Sequence, residues 1–569
     1  MNLTHGNCVK KGIPGIEERK RITSAALGNE PVDLIFSNCI VFNPFSCTWE
    51  KTSFAVKNGI VLGPGDYLRG KVVNMSGSRV VPGLIDSHVH IESSLLSPCE
   101  YARLVFKHGT TTVIADPHEI ANVLGIRGIE FMLNEAKKSQ IDYFFMLSSC
   151  VPATPLDKGG ANLNSQVLYP LSKEPEFLGL AEMMNVPGVL NLDSEVWKKL
   201  VLFRLMDGHA PLLCGKELNA YIIAGPDSDH ECTGEEEAWE KLKKGMFIYL
   251  REGGTEKNLK SLIPVVNPFT VSRCSFASDD RHIDTLVKDG HIDDCIRKSV
   301  HYGLSLELAI RMATLSASER FLLYDRGAIA PGRVADFCVL EDSLEFRIRE
   351  TYKRGVKSEA VPSPEPESLK SVFLTRPSLK DLNLPAGKGT AKVIGLVEDQ
   401  ILTRVFYINV DSDLIPDTKA DVLKVVVCSR YEKGRVGIAL VNGFGLTTGA
   451  IASSVAHDSH NVICVGVEDE SILTAIHAVL ENGGGLASVG KAMTSVLPLE
   501  CAGLMSVRRY EVVSDLMCAL EEHTKLLTPL KNPFMYLSFL SLTVIPQIRV
   551  TDQGLFSSEV WGYIPIFLK

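Results

Sequence analysis

The sequence has no run of about 18 uninterrupted apolar residues, so no membrane-spanning helix is predicted. It has no C-x-x-C pair, and its 14 cysteines lack the regular spacing of a disulfide framework. Thiols of that kind suit a reducing interior, mostly as small apolar core groups. Long basic stretches are missing too, and a net charge of −9 argues against a nucleic-acid-binding surface. No G-x-G-x-x-G follows a strand-like segment, which counts against a dinucleotide site. The opening stretch, MNLTHGNCVKKGIPGIEERKR, is polar and basic with no apolar centre, so it does not read as a secretory signal. Together these absences predict a cytoplasmic protein whose partner is neither a nucleic acid nor a membrane.

What is present is globular chemistry in several pieces, since 569 residues exceed what one core holds. Residues 1–79 read as a polar lead-in followed by short strands, with Asn58-Gly59 a hairpin signal. Residues 80–323 alternate strand-like and helix-like stretches. Strands are predicted at 80–90, 111–116, 143–151, 178–184, 205–209, 226–230, 246–251 and 272–278. Eight such alternations predict an α/β fold, a TIM-type (β/α)₈ barrel rather than an open sheet. Thr233-x-x-Glu236 before EAWEKL reads as a capping box. Residues 324–358 return to short strands and are expected to pair with the early ones as a small β domain outside the barrel. The Pro- and Glu-rich region 359–391 reads as a linker, and 392–569 as a C-terminal α/β domain.

The chain is organised around VVPGLIDSHVHIESS, residues 80–94. Val80, Val81, Leu84 and Ile85 read as one buried strand interrupted by a Pro82-Gly83 bend. His88 and His90, two apart, project to the same side of a strand and can share a metal. The pair means little alone, but the C-terminal ends of the predicted barrel strands, where such barrels keep their chemistry, supply more. Strand two ends in Asp116-Pro117-His118-Glu119, strand four carries Glu182, and strand five ends in His209. Strand six ends in His230 and strand eight in Asp279-Asp280. Four imidazoles with carboxylates and no thiolate suit Zn²⁺, Mn²⁺ or Fe²⁺, and six ligands exceed one tetrahedral site, so two metals are expected. Such a pair would generate hydroxide from water near neutral pH, which predicts metal-assisted hydrolysis at an sp² carbon.

The wording of these motifs resembles the adenine deaminase family of the amidohydrolase superfamily. The resemblance rests on HVHIESSLLSP, GTTTVIADPHEIANVLG, GLAEMMNVPGV, DGHAP, GKELNAYIIAG, LREGG and DDRH. It continues beyond the barrel in GFGLTTGAIASSVAHDSHNVICVG, LPLECAGLMS and TDQGLF. It implies conversion of adenine and water to hypoxanthine and ammonia by attack of a metal-bound hydroxide on C6. It also implies a binuclear Mn²⁺ or Fe²⁺ centre, with Zn²⁺ as an alternative, and a homo-oligomer acting on a small molecule. By position, His88, His90, Glu182, His209, His230 and Asp279 correspond to metal ligands. Asp279 is expected to relay the hydroxide proton, with Glu119 as a partner for a ring nitrogen. His118, Glu217, Asn219 and Asp280 are expected near the substrate. Many relatives have a carboxylated Lys on strand four; Glu182 stands there instead, against the other open reading, a hydrolase of cyclic amides. A third reading is a catalytically inactive metal-binding homologue. The junction VPSPEPES, Glu500-Cys501 and the tail SSEVWGYIPIFLK depart from the family pattern. Beyond the barrel, VAHDSHN places His457 and His460 between two apolar strands. This loop is expected to face the barrel mouth and close over the base, while a chain ending near residue 385 is expected to keep a folded, metal-binding barrel.

Overall fold

The computed structural model describes residues 15–568 apart from 68, 256, 343–344, 358–365, 367, 372, 386, 399 and 412–414. The first fourteen residues of the lead-in and the start of the expected linker thus lie outside the described residues.

Strands Leu34–Asn43 (β1), Thr48–Lys57 (β2), Ile60–Gly63 (β3), Lys71–Asn74 (β4) and Arg79–Pro82 (β5) open a small sheet. The barrel strands follow: Leu84–Val89 (β6), Thr110–Ala115 (β7), Asp142–Leu147 (β8), Phe177–Met183 (β9), Met206–Gly208 (β10), Ser228–Asp229 (β11), Phe247–Arg251 (β12) and Cys274–Ala277 (β13). They form two parallel arcs, β6 to β10 and β11 to β13. The first seam closes where Asp279 N–H donates to His88 O at 3.0 Å and His90 N–H to Asp279 O at 3.2 Å. At the second, Ala210 N–H donates to Asp229 Oδ1 at 2.8 Å. Ile114, Phe144, Met146, Leu178, Phe247 and Tyr249 belong to one buried cluster, so the barrel is a packed core with its site at one end.

Residues 80–82 do not start the barrel. β5 pairs with β1 and with Phe337–Asp342 (β14) in the small sheet, which Arg347–Lys353 (β15) and Val356–Lys357 (β16) complete. The bend at Pro82-Gly83 is therefore a transfer between two sheets rather than a kink within one strand. A Cβ at Gly83 would lie 2.3 Å from Thr111 Oγ1, so only glycine lets the chain cross there. The helix Glu235–Lys243 also starts differently from the expected capping box: Gly234 is its N-cap. Thr233 sits one residue further out and donates instead to Glu237 Oε2, from its backbone N–H at 3.0 Å.

The C-terminal region carries Lys388–Leu396 (β17), Thr403–Asp411 (β18), Leu423–Cys428 (β19), Val436–Asn442 (β20), Ala450–Ser453 (β21), Val462–Gly466 (β22), Gly485–Val489 (β23) and Thr494–Pro498 (β24). They form one sheet in the order β18-β17-β20-β19-β22-β21-β23-β24. Its central strands are apolar on both faces, and the two-residue period sorts them. Val426, Cys428, Ala452 and Cys464 pack under the helix Asp469–Glu481. Val425, Val427, Ile451 and Ile463 face the other way, into a core continuous with Leu95, Leu96, Tyr101 and Ala121 of the barrel. Arg103 donates to Glu511 Oε1 at 2.8 Å, and Ser506 N–H to Leu95 O at 2.8 Å, along the same contact.

That shared core argues against a self-sufficient barrel. Each fully buried aliphatic or aromatic side chain contributes roughly 1.5–3 kcal/mol relative to exposure, and domain stabilities are only about 5–15 kcal/mol. A chain ending near residue 385 is expected to aggregate or to bind hydrophobic dye without a cooperative melt. A soluble truncation with a sharp thermal transition would refute this. No described helix is long and apolar enough to cross a membrane.

Candidate metal centre and active site

At the C-terminal mouth of the barrel, the strand-end rule that picked out residues in the sequence brings most of them together. Glu182, near the end of β9, is the hub. Its Oε1 lies 3.2 Å from His90 Nε2 and 3.7 Å from His88 Nε2. Its Oε2 lies 2.7 Å from His209 Nδ1 and 3.3 Å from His230 Nε2. One carboxylate therefore faces two pairs of imidazoles through its two oxygens. Asp279 Oδ1 lies 3.4 Å from His88 Nε2 and 3.2 Å from His90 Nε2. Its φ of 52° is a left-handed conformation, which Asp tolerates better than most residues and which turns the chain sharply just past β13.

These groups fit divalent cations. Ligand atoms of Glu182, His209 and His230 lie within 4.8 Å of one another, as do those of His88, His230 and Asp279. His90 is oriented from behind by its Nδ1 against Asp116 O at 3.1 Å, the arrangement that fixes a metal-binding tautomer.

Electrostatics separates the two neighbouring aspartates. Burial would raise Asp279, but the Arg251 guanidinium and hydrogen bonds from His88 and His90 hold it well below the usual carboxylate range. Asp280 is raised, by burial first and then by the charge of Asp279, and accepts from Ser93 Oγ. Glu182 is likewise held well below its ordinary value, the hydrogen bonds from His209, His230 and His90 outweighing its burial.

Arg251 went unassigned in the sequence, although it obeys the same rule. It ends β12, strand seven of the barrel, whose end no expected site residue occupied. Its NH1 donates to Asp279 Oδ2 at 2.7 Å and its NH2 to Glu231 Oε2 at 3.1 Å. Asp86 was missed as well: its Oδ1 accepts from His88 N–H at 3.2 Å and Ser278 N–H at 3.1 Å, tying the first and last barrel strands together beneath the cluster.

On the other side of the mouth, His118 Nδ1 lies 2.9 Å from Asp116 Oδ2, and its Nε2 lies 3.3 Å from Glu119 Oε1. Glu119 is clasped by the C-terminal loop: His457 Nδ1 pairs with Oε1 at 2.5 Å, and His460 Nε2 pairs with Oε2. Burial would raise Glu119, but His457, His118 and His460 hold it well below the usual carboxylate range. His457 is lifted to about 9, the charge of Glu119 outweighing burial, whereas burial lowers His460.

Two expected site residues are not in the mouth. Glu217 and Asn219 are exposed on the helix Gly215–Ala224, because its inward stripe is Leu218 and Tyr221. From the GKELNAYIIAG segment Tyr221 reaches the site: its hydroxyl accepts from His209 N–H at 3.1 Å.

A parallel barrel with two imidazoles on its first strand, two more on its fifth and sixth, and a closing aspartate defines a metal-dependent hydrolase of the amidohydrolase class. The Amidohydrolase family model matches residues 79–358, and the adenine deaminase C-terminal domain model matches residues 400–560. The chain is 53% identical over 546 residues to adenine deaminase of Methanoregula boonei, covering 95% of this chain and 98% of that one. It is also 53% identical over 515 residues to adenine deaminase of Methanoculleus marisnigri, covering 90% of this chain and 99% of that one. A crystal structure of an adenine deaminase aligns with a TM-score of 0.41 at 17% identity, over 57% of this chain and 99% of that one. The chain belongs to the adenine deaminase family.

Proposed function

We propose that this chain hydrolyses adenine to hypoxanthine and ammonia, using two divalent cations, Mn²⁺ or Fe²⁺ by preference and Zn²⁺ as the alternative. The observation that carries the reading is Glu182, one carboxylate turned to His88 and His90 through one oxygen and to His209 and His230 through the other. Those five residues and Asp279 would hold the cations. When bound, the cations supply Lewis acidity that lowers the pKa of water from about 15.7 toward roughly 7.

The chain's own groups then move the protons. The oxygen of water bonds to C6, the bond from C6 to the amino nitrogen breaks, and ammonia leaves. Asp279, kept ionised by Arg251, accepts the proton of the attacking water and passes it to the departing nitrogen. Glu119, flanked by His118 and His457, takes the second proton of the attacking water and delivers it to the ring nitrogen beside C6, leaving a C6 carbonyl and a ring N–H. The burial of every one of these groups keeps bulk water from competing for the protons.

Leu192, Val201, Leu212 and Ile223, all exposed between β9 and β11, suit contacts between identical copies, and the free thiols suit a reducing cytoplasm. The test is ammonia release from adenine after apo-protein is reconstituted with Mn²⁺, Fe²⁺ or Zn²⁺ in turn. Adenosine is expected to be the poorer substrate, and His88→Ala and His209→Ala are expected to lose metal and activity together. Full metal occupancy in both variants, or faster turnover of adenosine, would refute the proposal.

A further inference from the structure

The chamber over the metal-ligand cluster is polar on the barrel side and apolar opposite. Its apolar lining is Met184 from the barrel and Ile401, Phe539 and Leu542 from the C-terminal domain. Phe539 ends the helix Pro533–Phe539 and lies flat on the His457 imidazole, with ring centroids 4.6 Å apart and planes 11° from parallel. His457 is the residue paired with Glu119, so this stack stands directly over the proton-handling end of the site.

The apolar wall has its own support. Arg549 is fully buried, and its guanidinium donates to four main-chain carbonyls: Phe539 at 3.0 Å, Ile545 at 3.0 Å, Ile401 at 2.6 Å and Pro546 at 2.9 Å. Burying a guanidinium against neutral acceptors is expensive, and a structure keeps that arrangement where it over-determines a local shape. The carbonyls it gathers belong to Ile401 and Phe539, two of the wall residues, and to the turn following Leu542. The free volume of the chamber is about 20 Å³, roughly the space of one water, so admitting a purine requires its lining, Ile401, Phe539 and Leu542 included, to move apart. The outer part of the same helix, at Phe534 and Met535, lines a cleft of about 760 Å³ beside the helix Tyr510–Lys525.

We infer that Phe539, flanked by Ile401 and Leu542, is the surface on which the substrate's purine ring stacks, and that Arg549 positions this surface. The inference rests on the adenine-deaminase reading and adds what the C-terminal domain does in it. That domain supplies, on the side of the Phe539 ring away from His457, a flat apolar face that suits a planar heteroaromatic ring. Stacking a base on an aromatic side chain is worth about 1–3 kcal/mol, or roughly 5- to 150-fold in binding.

The test compares wild type with Phe539→Leu and Phe539→Ala, all loaded with Mn²⁺. Phe539→Leu keeps most of the apolar volume and loses the flat face. It is expected to raise KM for adenine about tenfold and to leave metal content unchanged, with kcat falling less than KM rises. Phe539→Ala is expected to raise KM further and to narrow the preference for adenine over adenosine. Arg549→Lys, which cannot reach four carbonyls at once, is expected to shift KM in the same direction. A Phe539→Leu enzyme with wild-type KM, or one losing kcat alone, would overturn the inference. Wild-type protein inert toward adenine in every metal form would instead overturn the reading on which it rests.

Discussion

Replacing Asp279 with asparagine is expected to lower kcat for adenine deamination by roughly 10²–10⁴-fold, the range that a positioned proton-transfer group supplies. Asparagine keeps the size and one oxygen, so metal content is expected to change far less than turnover. The substituted amide cannot accept a proton from the attacking water. Nor can it present two anionic oxygens, one to the His88 and His90 nitrogens and one to Arg251. The structure favours Asp279 over its neighbour for this role: Arg251 holds Asp279 ionised, whereas burial and the charge of Asp279 push Asp280 upward. Parallel measurement of ammonia release and metal content in Asp279→Asn and Asp280→Asn decides the matter. A crippled Asp280→Asn beside an active Asp279→Asn would transfer the role to Asp280.

The second large effect is expected at Glu119 and its two partners from the C-terminal loop. Glu119→Gln is expected to cost roughly 10²-fold or more in kcat, because the amide can no longer exchange a proton with the ring nitrogen. His457→Ala removes one of the contacts that keep the carboxylate ionised and aimed, and about tenfold is expected. Since His457 acts through Glu119, the two losses are not expected to add: in a Glu119→Gln background, His457→Ala should cost little more. Steady-state kinetics on the two single variants and the double variant supply the cycle, with metal content as the control. Losses that multiply in full would mean that His457 works independently of Glu119, for instance only as the partner of the Phe539 ring.

The expected placement of the C-terminal loop over the barrel mouth and the expected autonomy of the barrel bear on the same contact. His457 and His460 meet Glu119, but the sheet that carries their loop also shares its core with the barrel helices. A run such as LKVVVC, buried on both faces, is legible as a strand in the sequence. What it buries against is not, because both faces are simply apolar.

Local patterns in the chain are enough to mark the barrel and the residues expected as its metal ligands. Strand–helix alternation is a local pattern, and a (β/α)₈ barrel places chemistry at the C-terminal ends of its strands, so His88, His90, Glu182, His209, His230 and Asp279 could be named from position alone. Arg251 obeyed the same rule and was overlooked because a strand-end arginine has no metal-ligand signature. The rest depended on contacts between distant parts of the chain, which the fold alone sets. The fold assigned residues 79–82 to the small sheet, which depends on hydrogen bonding to a strand more than 250 residues away. It turned Glu217 and Asn219 outward, since a short helix with apolar residues on several sides does not declare its inner stripe. It also brought Ile401, Phe539, Leu542 and Arg549 to the site. Apolar side chains and a buried arginine carry no functional signal in sequence, and their roles follow entirely from which distant carbonyls and rings the fold sets beside them.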